Sequence, residues 1–266
     1  EWDGQQMLFG DGDGEFFNRF TISVDVIGHE LTHGVTQFTA NLDYQDQSGA
    51  LNESFSDVFG SLVKQHSKGQ DAASADWLIG EGIFTSRVQS GDPSRPAALR
   101  SMLHPGTGYN DPVFGKDPQP DNMRGYDHSP DDNGGVHMNS GIPNRAFALT
   151  AMAIGGNAWE DAGMIWYKTL LRLSSSAQFQ DAAETTYQVA GELFTSGSTQ
   201  QQAVRDAWAQ VGVRIPGAGG GRRRQAAAHA NGHANGASHD GRLDQISAEL
   251  KALKEQMTKA LASAKK

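Results

Sequence analysis

Apolar residues recur at helical spacing along most of this chain. Leu51, Phe55, Val58, Phe59, Leu62 and Val63 form one such series and predict a helix that packs one face into a core. Ala146 to Gly155 is apolar and Ala-rich. Ala158 to Leu173 carries Trp159, Ile165, Trp166, Leu170 and Leu173 at roughly helical intervals. Phe179 to Leu193 and Gln200 to Val211 repeat the pattern, separated by the breaker Ser196-Gly197-Ser198. Upstream, Thr21 to Gly28 suits a helix start, with Ser23 as the N-cap and Asp25 favourable in the first turn. Gly91 to Asn133 is rich in Gly, Pro, Asp and Asn and predicts a long loop region running over the surface. The expected fold is therefore mainly α. A short β-hairpin region is expected at the N-terminus, where Asp11-Gly12-Asp13-Gly14-Glu15 reads as a turn.

The pattern stops after Pro216. Residues 217–242 are Gly, Ala, Arg, His and Asn, with Arg222-Arg223-Arg224 at the front. Such a segment has no means to bury a core and predicts a disordered linker. His229, His233 and His239 fit a polar low-complexity tract better than a metal site. In residues 243–266, Leu243, Ile246, Leu250, Leu253, Met257 and Ala260 step alternately by three and four. That is an a/d seam of about three heptads. It supports self-association through a short coiled coil, docking on the body, or a marginal lone helix. The chain thus divides into a body, 1–216, a linker, 217–242, and a terminal helix, 243–266.

Charge follows the same division. The last fifty residues carry nine Lys or Arg against four Asp or Glu, while the body is strongly acidic, and the whole chain has a net charge of −9. The acidic body argues against nucleic acid as a partner. The 266 residues contain no Cys, which removes disulfides and thiol chemistry. No apolar run approaches the ~20 residues needed to span a membrane. The chain begins at Glu1 with no signal-peptide pattern, as expected of a processed protein or a fragment.

The chemistry concentrates in His29-Glu30-Leu31-Thr32-His33. On a helix, residues four apart share a face, so both imidazoles reach one metal, with Glu30 one step round and close enough to hold a water. Zinc needs at least a third protein ligand. Asn52-Glu53-Ser54-Phe55-Ser56-Asp57 offers Glu53, twenty residues after His33, on the next helix. A pair of carboxylates on a partly buried helix is costly unless paired or metal-bound. Glu53 is then the third ligand, and Asp57 an acceptor that fixes a ligand histidine's tautomer.

These residues resemble the thermolysin-like neutral zinc metalloproteases, among which a His, His, Glu zinc site is well known. The resemblance runs from about Trp2 to Val213. It rests on Val26 to Thr36, on Tyr44 with Ser48 to Glu53 and Ser56-Asp57, on Leu99-Arg100-Ser101-Met102, and on Asp132 to Gly141. By themselves Tyr44 reads as a surface aromatic and Arg100 as a solvated charge. The resemblance implies more. It makes Glu30 the general base, Tyr44 and His137 donors to the oxyanion, Asp132 the residue that orients His137, and Arg100 a clamp on the substrate carbonyl. Phe17, Phe20, Val26, Ile79, Ile83 and Leu99 read alone as core. By resemblance they line a specificity pocket, implying cleavage on the amino side of a bulky hydrophobic residue.

Calcium is where the chain departs from the family. Asp25, Asp76 and Glu81 match calcium-ligand positions, but Lys64 and Leu78 stand where the family usually has Glu. An ammonium does not ligate calcium, so a weak or absent site is expected, with Lys64 paired to Asp76 or Glu81. The resemblance also implies a preceding, largely β half of the catalytic unit, expected to be missing here, and export as a zymogen to the extracellular space. The expected activity is a zinc endopeptidase. The alternatives are an inactive fragment or zinc-binding scaffold lacking half of the cleft, or a zinc amidase or esterase.

Overall fold

A computed structural model describes residues 2–217. The linker and terminal helix expected over 217–242 and 243–266, with the triple Arg, the three linker histidines and the self-association seam, lie outside the described residues but for Gly217.

Among the described residues there are seven α-helices: α1 (Val24–Gln37), α2 (Asp46–Lys68), α3 (Asp131–Asn139), α4 (Gly141–Ile154), α5 (Asp161–Leu170), α6 (Phe179–Phe194) and α7 (Thr199–Gln210). Strands are short. β1 (Leu78–Ile79) pairs antiparallel with β2 (Arg100–Ser101), and β3 (Asn110–Asp111) with β4 (Gly115–Lys116). No described helix is long and apolar enough to cross a membrane.

The core gathers one face of α2 against α4 to α7. Leu51, Phe55, Val58 and Leu62 from α2 are buried with Phe147, Ile165, Trp166, Leu170, Phe179, Val189, Val204 and Trp208. Phe147 meets Trp166 edge-on at 5.0 Å and Trp77 at 6.0 Å. Val63, part of the predicted apolar series, is instead exposed, because it sits on the side of α2 turned away from this cluster. The caps follow the sequence in part. Ser198 accepts from the Gln201 amide at the start of α7, and Gln178 with Asp181 forms a reciprocal cap on α6. Ser23 precedes α1, but its hydroxyl donates to Asp25 and makes no cap bond.

The second face of α2 is polar and lies along α1. The two helices run antiparallel, with Glu53 opposite His33, Asp57 opposite His29, and Lys64 opposite Asp25. Between these pairs the backbones nearly touch. A Cβ on Gly60 would sit 2.3 Å from the Asp25 carbonyl oxygen, so only glycine fits. This close approach brings the two histidines within reach of Glu53.

Two segments differ from expectation. The N-terminal hairpin is reduced to isolated bridges, Trp2 with Met7 and Phe17 with Phe84. Asp13 closes the local turn by accepting from the amides of Glu15, Phe16 and Phe17, which leaves no register for two long strands. The loop region 91–133 does not simply run over the surface. Ser101, Met102, Asp111, Asp117 and Gln119 are buried. Asp117 plugs the loop inward by accepting from the amides of Gly106, Gly108 and Gln119, which satisfies backbone donors that no sheet or helix serves.

Candidate functional site

The middle of α1 presents His29 and His33 one helical turn apart, and their Nε2 atoms lie 3.0 Å from each other. Each stands 3.4 Å from a Glu53 oxygen, His29 from Oε2 and His33 from Oε1. Ligand atoms of the three residues all fall within 4.8 Å of one another. The far side of each ring is committed. His29 Nδ1 donates to Asp57 Oδ1 at 2.8 Å, and His33 Nδ1 donates to Asn52 Oδ1 at 2.9 Å. The Asn52 amide orientation follows from its Nδ2 donating to the Leu42 carbonyl. Both Nδ1 atoms thus carry hydrogen, so both Nε2 atoms aim lone pairs into one space with a carboxylate. Glu53 is 1% exposed, and its Oε2 accepts no hydrogen bond. Such a cluster is stable only around a cation. Burial pushes the His29 pKa down, but Asp57 and Glu53 outweigh it and hold it at about 9. Burial dominates at His33, whose pKa is lowered. Burial opposes the Glu53 charge, yet His29 holds its pKa well below the usual carboxylate range.

Around this cluster is a cleft of about 660 Å³, lined also by Glu30, Tyr44, His137, Trp2, Gln37 and Leu42. The Tyr44 hydroxyl donates to Glu53 Oε1 and lies 3.2 Å from His137 Nε2. Burial and the Glu53 charge raise the Tyr44 pKa, so it stays a donor. His137 is half-exposed at the end of a run of four left-handed residues, Asp132 to Gly135, with φ from 51° to 80°. For Asp132 and Asn133 that backbone is strained. At Gly134 a Cβ would lie 2.1 Å from Asp46 Oδ1, so glycine is required. The turn folds Asp132 back onto His137, whose Nδ1 donates to Oδ1 at 2.7 Å and whose backbone amide donates to Oδ2 at 2.8 Å.

Arg100, placed by β2, turns its guanidinium to Asp57, with Nη2 and Nε each 2.9 Å from a carboxylate oxygen. It does not line the cleft. Asp57 is 0% exposed; burial favours its neutral form, but Arg100 and His29 hold its pKa at about 2. The six apolar pocket residues also stay out of the cleft. Val26, Ile79 and Ile83 are buried, while Phe17, Phe20 and Leu99 are half-buried. They pack around the β1 loop, where Phe17 stacks on Phe20 and bridges Phe84, and Leu99 covers Gly80.

Lys64 answers for the calcium-like carboxylates. Its ammonium is 2.7 Å from Asp76 Oδ1 and 3.2 Å from Asp25 Oδ2, and it donates to the Leu78 carbonyl. Glu81 pairs with Lys68 at 3.2 Å, not with Lys64, because Asp25 and Asp76 already surround the buried ammonium. Asn52, Gln119 and Asn144 had no role in the sequence reading. Asn52 was adjacent to a ligand; the other two gave no local signal.

Family profiles fit this arrangement. Residues 40–213 match the thermolysin metallopeptidase, alpha-helical domain, and residues 1–37 the thermolysin metallopeptidase, catalytic domain. The chain belongs to the thermolysin metallopeptidase family. It is 53% identical over 216 residues to an "Extracellular metalloprotease" of Pectobacterium carotovorum, covering 80% of this chain and 60% of that one. It is 44% identical to a "Bacillolysin" of Bacillus amyloliquefaciens, covering 80% of this chain and 36% of that protein. Among solved structures, the "Precursor of Protealysin, Metalloproteinase from Serratia proteamaculans" superposes with a TM-score of 0.75 at 57% identity. That match covers 80% of this chain and 64% of the other. The chain therefore spans less than two thirds of each of these thermolysin-family relatives. The family implies zinc, and the His29, His33, Glu53 cluster has the donor chemistry to take it.

Proposed function

We propose that this chain is a zinc metalloendopeptidase that hydrolyses internal peptide bonds and acts extracellularly. The carrying observation is the convergence, in one cleft, of the His29, His33, Glu53 cluster with Glu30, Tyr44 and His137. Zinc held by His29, His33 and Glu53 would supply Lewis acidity, lowering the pKa of a water and polarising the scissile carbonyl. Glu30, half-buried beside the cluster, accepts the proton of the attacking water and passes it to the leaving amine. Tyr44 and His137 now converge on Glu53 Oε1. With that oxygen committed to the cation, both donors are free for the oxyanion of the tetrahedral intermediate. Asp132 holds His137 in place, and Asp57 presents Arg100, whose remaining N–H groups suit a substrate carbonyl. A preference for a bulky hydrophobic residue on the amine side of the cut rests on the family resemblance, since Phe17, Phe20 and Leu99 pack beside β1 and not in the cleft. Lys64 fills the space among Asp25 and Asp76, so no calcium is needed there.

The test is zinc content together with cleavage of internally quenched peptides carrying a central Phe, Leu or Asp, with chain 1–266 beside Glu30→Gln. The expected result is about one zinc per chain and chelator-sensitive cleavage before Phe and Leu. The Glu30→Gln turnover should fall by about 10²- to 10⁴-fold. Zinc without cleavage by the unsubstituted chain would sink the endopeptidase reading and leave a zinc-binding scaffold. Equal cleavage of all three peptides would remove the hydrophobic preference.

A further inference from the structure

Asp57 takes donors on both oxygens. Oδ1 accepts from His29 Nδ1 and Arg100 Nη2; Oδ2 accepts from Asn144 Nδ2 at 2.8 Å, with Arg100 Nε 2.9 Å away. A carboxylate offers about four lone-pair sites, and three of them take hydrogen bonds while the charged Arg100 Nε lies beside Oδ2. Asn144 is 0% exposed on the first turn of α4, and its own Oδ1 has no hydrogen-bond partner. A buried carboxamide that leaves its acceptor unused is poorly suited to packing alone; its donor is what the site employs. The same segment holds His137. The Asn144 amide donates to the Ser140 carbonyl, and the Ser140 hydroxyl donates to the His137 carbonyl.

We infer that Asn144 is a positioning residue: by holding the Asp57 carboxylate in one rotamer, it orients the metal ligand His29 and the proposed carbonyl clamp Arg100 together. This deepens the endopeptidase reading and rests on it for its kinetic consequence. Its metal consequence does not depend on turnover. Without the Asn144 donor, Oδ2 loses its one hydrogen bond in a fully buried site, so Asp57 rotates and His29 and Arg100 follow. Partners of metal-ligating histidines typically change affinity or activity 10- to 100-fold, and a residue one step further out belongs at the lower end.

The experiment compares zinc-loaded chain 1–266 with Asn144→Leu, which keeps the branched shape without the donor, and Asn144→Ala. Zinc release to a chelator should be about tenfold faster in both variants. The visible spectrum of the cobalt(II)-substituted protein should shift, since it reports ligand geometry. KM should rise about tenfold through Arg100, by more than kcat falls. Wild-type zinc release with an unchanged cobalt spectrum in Asn144→Leu overturns the inference. If the unsubstituted chain binds zinc and cleaves nothing, the endopeptidase reading fails, while the release rates and spectra still judge Asn144. If neither variant folds, the decision passes to the unsubstituted protein. Its Asn144 side-chain amide resonances should move when zinc is stripped and return on reloading, because coupling is reciprocal. Resonances that stay in place overturn the inference.

Discussion

Tyr44 and His137 meet beside Glu53 Oε1, to which the Tyr44 hydroxyl donates and from which His137 Nε2 stands 3.5 Å, although 93 residues separate the two in sequence. Their chemistry differs. Tyr44 keeps its proton at any working pH, since burial and Glu53 raise its pKa. His137 has its Nδ1 tied to Asp132, which turns Nε2 toward the Tyr44 hydroxyl. Each donor removed from an oxyanion site costs about 10²- to 10³-fold in turnover. Tyr44→Phe and His137→Ala should each lower kcat by about that much, with KM little changed. Steady-state kinetics on the quenched peptide decides it, and a wild-type kcat in Tyr44→Phe would remove Tyr44 from the mechanism.

At the scale of elements, the α1–α2 seam is the working part. It is polar throughout and closes at Gly60. Forcing a methyl group against the Asp25 carbonyl should separate the helices. Gly60→Ala is expected to destabilise the fold by about 1–3 kcal/mol and to speed zinc release, as read by denaturant unfolding and a chelator assay. Unchanged stability would mean the seam is looser than it looks. The far end of the seam is held by Lys64. Burial pushes the Asp76 pKa up, but Lys64 and Lys68 outweigh it and hold it below 3.8. A carboxylate with a depressed folded pKa contributes stability that is present above its unfolded value and lost as pH falls through the folded one. Unfolding free energy should therefore decline below about pH 4, and less steeply in Asp76→Asn. Parallel pH profiles for the two proteins would show that Asp76 contributes nothing. Calcium should leave the melting temperature unchanged at this end, because the ammonium occupies the space between the carboxylates.

The whole molecule depends on what fills the seam. Core packing of α2 against α4 to α7 is apolar and self-sufficient, whereas the opposite face of α2 gathers two imidazoles, two carboxylates and a guanidinium. A ligand that binds only the folded state adds stability, about 2.7 kcal/mol when present at a hundred times its dissociation constant. For a body of this size, that corresponds to roughly 5–10 °C. Stripping zinc should lower the melting temperature by about this amount, and re-adding it should restore the original value. A melting curve indifferent to chelator would argue against a structural share for the metal.

Local rules suffice for much of this. The His29, His33, Glu53 cluster was legible because a helix puts residues four apart on one face, and because Glu53 follows on the next amphipathic segment. The helices were legible because their apolar spacing and their breakers are local. Other features needed the fold. Asn144 meets Asp57 across 87 residues, and Gln119 reaches the His137 carbonyl from a loop that reads as surface. The left-handed run at Asp132 to Gly135 looked like an ordinary Gly-containing loop, since composition does not reveal which turn a chain is forced to make. Lys64 was expected beside Asp76 or Glu81; it does pair with Asp76, and the packing of α1 on α2 adds Asp25 in place of Glu81. By itself the sequence determined the elements, the metal-binding chemistry and the family, because periodicity and motif spacing act over a few residues. Tertiary structure alone decided which polar groups are buried together, because that depends on where distant segments meet and on donors and acceptors that must find partners there.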